Sequence, residues 1–137
     1  MNEDVSLTPV TDNEVLARFV LFRGWIRSSN NTVKPDAFVP YPYPDLSVSR
    51  HIELSEAEIW KIGQQVADQR PATLYGRADI LAVSVKRQSL RIVPTLEPKN
   101  HANVIGWPKD KPAQKIIAQQ LAADAHYVLK SLGSWSL

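Results

Sequence analysis

Apolar residues fall along this chain in short blocks, and their spacing changes from block to block. The first block, Val15, Leu16, Phe19, Val20 and Phe22, suits a helix capped by Thr11 or Asp12 with Glu14 in its first turn. Its β-branched and aromatic content predicts that it turns extended before Gly24. Trp25-Ile26-Arg27 reads as a short extended piece, and Ser28 to Asn31 as a turn, because Ser and Asn bond to nearby backbone and Asn tolerates positive φ. Thr32-Val33 leads out of that turn, and Lys34-Pro35-Asp36 makes another. Leu46-Ser47-Val48-Ser49 alternates as a strand with one buried face.

Helix signals follow. Ser55 with Glu58 three residues later forms a capping box, and Ile59, Ile62, Val66 and Ala67 make the stripe of a helix over 56–69. Arg70-Pro71 ends it. Ala78 to Lys86 is apolar on both alternating faces and predicts a central strand. Leu90–Val93 and Asn103–Trp107 are further strands, each stopped by a proline. Asp110 or Lys111 caps the last helix, with Pro112 in its first turn. A stripe from Ala113 through Ile116, Ile117, Leu121 and Ala125 to Leu129 predicts roughly five helical turns, ending at Gly133. The pattern predicts an α+β fold: a small antiparallel or mixed sheet of about three to five strands, with the long C-terminal helix and the 56–69 helix packed on one face.

One stretch stands apart. In Ala37–His51, Pro40, Pro42 and Pro44 alternate with Tyr41 and Tyr43, and each proline holds the residue before it extended. The run is a stiff surface crossing that delivers the chain to Arg50 and His51.

Length bounds the rest. A chain of 137 residues makes one domain, here 1–137 with 1–10 as a loose lead-in, and needs no metal or disulfide staple. With no cysteine, a disulfide framework, thiolate metal sites and thiol catalysis are excluded. No apolar run reaches the ~18 residues of a membrane span, and no signal-peptide pattern opens the chain, so a cytoplasmic protein is expected. Charge is uneven: Glu3, Asp4, Asp12 and Glu14 open the chain with no basic residue, whereas 71–137 carries nine Lys or Arg against four acids. That half suits an anionic partner.

No cofactor or metal is implied: there is no glycine-rich phosphate loop, no His-Glu-x-x-His and no nucleophile elbow. Candidate ligand-binding residues are Arg50 and His51 at a strand end, Arg18, Arg27, Lys34 and Arg77 as basic neighbours in space, and His101 after a loop. Arginine offers a planar fork to paired oxygens, and His can titrate or transfer protons. Tyr41, Tyr43, Tyr75 and Trp25 supply stacking faces. His126 reads as exposed helix surface.

The order Val33 to Phe38, Leu46 to Val48 and His101 to Ile105 resembles small, largely uncharacterised bacterial proteins, and the resemblance implies a bacterial intracellular origin. Three functions are expected in order. The first is a non-enzymatic protein–protein interaction domain or accessory subunit, with a protein partner or a second copy anchored by Trp107 and Trp135. The second is nucleic-acid or nucleotide binding through a basic-aromatic surface. The third is a small enzyme using His51 or His101 with Arg50.

Overall fold

A computed structural model describes residues 7–40 and 42–130. Eight strands and three helices follow in order: β1 (Val15–Val20), β2 (Ile26–Arg27), β3 (Thr32–Val33), β4 (Leu46–Arg50), α1 (Glu56–Gln69), β5 (Gly76–Leu81), α2 (Ala82–Lys86), β6 (Arg91–Pro94), β7 (His101–Ile105), α3 (Lys111–Asp124) and β8 (His126–Leu129). Six strands form one sheet in the order β6-β7-β4-β1-β5-β8, and every neighbouring pair is antiparallel. β2 and β3 form a separate two-stranded ribbon. The fold is α+β, with a larger sheet than the apolar blocks suggested. No described helix is long and apolar enough to cross a membrane.

Alternation along β1 sorts the sheet into two faces. Leu16 and Val20 belong to a core with Leu46, Val48, Ile80 and Val104, which Ala118 and Leu121 of α3 complete. Ala17 and Phe19 point the other way and pack with Ile59 and Ala67 of α1. The two long helices therefore cover opposite faces, not one. The reason lies in β1, which is central and apolar on both sides, so that each side needs its own cover. At Gly63 a Cβ would lie 2.5 Å from Phe19 Cε1, which explains the glycine in mid-helix.

α1 starts at the expected box: Ser55 Oγ accepts from Glu58 N–H, and Glu58 accepts from Ser55 N–H. α3 starts at Asp110, whose carboxylate accepts from Ala113 N–H. Three expectations change. The first apolar block is a strand from Val15 to Val20 rather than a helix, because β4 and β5 flank it. The expected strand Ala78–Lys86 ends at Leu81, where the N–H groups of Ala82 and Val83 are taken by Glu14 and Asp12 carbonyls and the chain turns into α2. The expected five-turn helix stops at Asp124, and Ala125 is extended (ψ 149°). His126–Leu129 then pairs with β5 at the sheet edge. Tyr127 packs there over Gly76, where a Cβ would meet its hydroxyl at 2.6 Å. His126 is exposed, on a strand rather than a helix.

The lead-in reaches the core at Val10. Tyr41, Gly133, Trp135 and Leu137, with Glu3 and Asp4, lie outside the described residues.

Candidate functional site

Arg50 ends β4 and is wholly buried. Its Nε and Nη2 donate to the Glu14 carboxylate at 2.5 and 2.7 Å, and Nη1 donates to the Thr8 carbonyl at 2.6 Å. This guanidinium ties the lead-in to the sheet. His51, the next residue, lies 4.0 Å from Glu56. It lines a shallow open cleft with Thr11, Asn13 and Ile52.

Arg77 on β5 joins the same neighbourhood from the α1 face. Its Nη2 donates to Glu56 at 2.8 Å, its Nε donates to Asp79 at 3.0 and 3.1 Å, and its guanidinium lies 4.7 Å from the Trp60 ring centre. Burial works against the Arg77 charge, but the bonds to Glu56 and Asp79 outweigh it and raise its pKa. The hydrogen bond from Arg77 holds Glu56 below the usual carboxylate value. Burial pushes Asp79 up, against the pull of Arg77. Arg77 is thus neutralised inside the chain. Arg27 lies elsewhere, donating to the Val33 carbonyl at 3.2 Å near the outer side of α3.

Arg18 and His101 meet in a different place. The ladder between β1 and β4 has only two partner pairs, Leu16–Arg50 and Ala17–Ser49, whereas β1 and β5 share six. Past Ala17 the two strands part, and the Arg18 side chain enters the opening. Its Nε donates to the Ala37 carbonyl at 2.7 Å and its Nη1 to the Ser47 carbonyl at 3.0 Å. Trp25 covers the guanidinium at 5.1 Å from its ring centre. No carboxylate pairs with Arg18 among the described residues. Burial, with Arg70 nearby, pushes its pKa down to about 10, so it stays charged at neutral pH.

That opening belongs to a groove on the α1 face. One wall is α1, through Lys61, Gln65 and Gln69, with Arg70 just past its end; the other is formed by the 98–99 loop, Pro40 and Pro42 to Asp45. Three adjoining cavities of about 310, 210 and 640 Å³ share lining residues along it. The floor is polar: Ser49 pairs with His101 and Ser47 with Asn103 across β4 and β7. His101 Nδ1 lies 2.8 Å from Thr95 Oγ1, and burial lowers its pKa, so the ring is neutral at pH 7. The charged groups along the groove are Arg18, Arg70, Lys61 and Lys99 against Glu58 and Asp45.

Arg18 and His101 therefore share a groove; His51 and Arg77 share a paired cluster; Arg50 and Arg27 stand apart. Arg50, His51 and His101 do not line one cleft. Sequence reasoning missed Arg70, Ser47, Ser49 and Asn103 as site residues. The available signal was a Ser-Val-Ser alternation, which puts two hydroxyls on one strand face. Arg70 was hidden by its reading as a helix stop.

The chain matches no family model, no curated protein and no solved structure. The fold and groove define a small α+β domain with a cation-bearing cleft of mixed polar and apolar lining, and the functional reading rests on that geometry.

Proposed function

We propose that this protein is a binding domain for a phosphate-bearing ligand, held in the groove beside α1. The observation that carries the reading is the Arg18–Arg70 pair. Both guanidinium-bearing residues line the same two cavities of the groove, and neither has a carboxylate partner among the described residues. Arg18 is half-buried, and a charge partly withdrawn from water without a counter-ion carries a solvation cost. Two backbone carbonyls and the Trp25 face offset part of that cost for Arg18. A phosphate between the two arginines would offset more, through forked, charge-assisted bonds. Ser49 and Asn103 on the floor add neutral hydrogen-bonding groups.

The test is calorimetric titration with inorganic pyrophosphate and a nucleoside triphosphate at low salt. Arg70 is exposed, so Arg70→Ala should leave folding intact and weaken binding about 10-fold. No binding by the native protein, or equal binding by both, refutes the reading.

A second reading, a protein-interaction domain, draws on one observation. Strand β6 closes one end of the sheet, with Val93 42% and Leu96 65% exposed beside it. Of the expected anchors, Trp107 is half-buried and its indole N–H donates to the Val104 carbonyl. Light scattering of native protein and Val93→Lys tests self-association through that edge; a monomer in both cases removes it.

A further inference from the structure

We infer that the groove takes an extended single strand of nucleic acid, not a lone nucleotide; the inference rests on the phosphate-binding reading above. Its first ground is length. The α1 wall runs from Glu58 to Arg70, which at 1.5 Å per residue is about 18 Å. Lys61 lies near one end of this wall, and Arg18 with Arg70 lies further along it, so cationic groups are spread as phosphates along a strand would be. A single phosphate group would engage only one of these positions.

The second ground is the aromatic cluster at the far end. Phe22 is 48% exposed and packs edge-on against Trp25 with ring centres 4.9 Å apart; Tyr43 is 61% exposed. All three line the same cavity as Arg18 and Arg70. An exposed ring next to a guanidinium pair offers a base a face to stack on while its phosphate is held. The backbone carrying Tyr43 is already set, by Pro42 and Pro44 on either side and by a turn in which Tyr43 N–H donates to the Pro40 carbonyl at 2.9 Å. Little conformational freedom is then lost when a base stacks. A duplex keeps its bases stacked on one another and unavailable to Tyr43, so a single strand is the form that uses both grounds. Stacking on exposed rings is tolerant of sequence, because every base has a π-face.

The experiment is fluorescence anisotropy with labelled oligo-dT of three to twelve nucleotides, alongside the pyrophosphate titration. Arg70→Ala and Tyr43→Ala are compared with the native protein, each checked for folding by circular dichroism. Affinity should rise with length up to the capacity of the groove. It should fall about 20-fold between 50 and 200 mM salt if three phosphates are held. Tyr43→Ala should weaken oligonucleotide binding at least about 5-fold and leave pyrophosphate binding unchanged. Pyrophosphate binding with no gain from oligonucleotides, or with no effect of Tyr43→Ala on them, overturns this inference and leaves the phosphate-binding reading standing. Equal affinity for duplex DNA or for polyglutamate also overturns it. Failure of the native protein to bind pyrophosphate or any oligonucleotide removes both.

Discussion

The Glu14–Arg50 pair gives the sharpest test of what holds the lead-in to the sheet. Both side chains are buried, with relative exposures of 5% and 0%, and two guanidinium nitrogens meet two carboxylate oxygens at 2.5 and 2.7 Å. In such a pair the Coulombic gain roughly repays the loss of hydration, so the pair as a whole adds little stability. Removing one partner is different, because the other charge stays buried without a counter-ion. Glu14→Leu and Arg50→Met should therefore each cost about 3–5 kcal/mol. The double variant replaces both charges with apolar groups. It should lose far less than the sum, apart from about 1 kcal/mol for the bond from Arg50 to the Thr8 carbonyl. The expected coupling is at least about 2 kcal/mol. Urea unfolding of the four proteins measures it, with slopes compared to confirm that the unfolding reaction is unchanged. Single variants that each lose under about 1 kcal/mol, or a double variant equal to the sum, would refute the reasoning. Either result would mean that water reaches the pair or that the lead-in is not held there.

Three other outcomes are expected. Leu121 is fully buried on α3, and Leu121→Ala should cost about 2–5 kcal/mol in urea unfolding by leaving a cavity. Gly63→Ala would gain about 1 kcal/mol from helix propensity alone, but the clash with the Phe19 ring should reverse the sign to a net loss, read as a lower melting temperature. His101 has a pKa depressed below its ordinary 6.5 by burial. The unfolded chain then binds the proton more readily, so this stability is full above about pH 6.5 and declines as pH falls toward the folded pKa. Urea midpoints at pH 7.5 and 5 should fall less in His101→Gln than in the native protein.

The parts legible in the sequence were those with a local chemical cause. The Ser55–Glu58 box, the Asp110 cap with Pro112 behind it, and the Ser-Val-Ser alternation of β4 all act within four residues, and each sits where it was expected. The illegible parts depend on partners far along the chain. Residues 82–86 and 126–129 carry apolar patterns compatible with either strand or helix. What decided them was bonding of Ala82 and Val83 to 12–14, and of β8 to β5, neither visible in a local window. The site obeys the same division. Arg18 and Arg50 each lie on a strand of the sheet, and their local sequence does not say which finds an acid partner. Arg50 meets Glu14 across 36 residues and is neutralised, while Arg18 meets only carbonyls and Trp25.

The position of the groove follows from how unequally the two faces are covered. On one face α3 packs with Phe38 and the rest of the short Pro35–Phe38 turn over an apolar surface spanning β4, β1, β5 and β7. On the other, α1 packs over β1 and β5: Gly63 against Phe19, and Trp60 against Arg77. A single helix about 10 Å wide cannot also cover β4 and β7, since strands are spaced about 4.8 Å apart. Ser47, His101 and Asn103 occupy that less covered half, with Ser49 buried beside them, where apolar side chains at the first three positions would have been left partly facing solvent. The parting of β1 and β4 then brings Arg18 to the boundary between the covered and uncovered halves. A fold that needed this half only to be soluble could have filled it with any charged residues, paired or spaced. Instead, two arginines without an acid partner among the described residues stand at its centre, and exposed rings stand at its end. That combination suits a groove for an anionic strand better than an ordinary solvated surface.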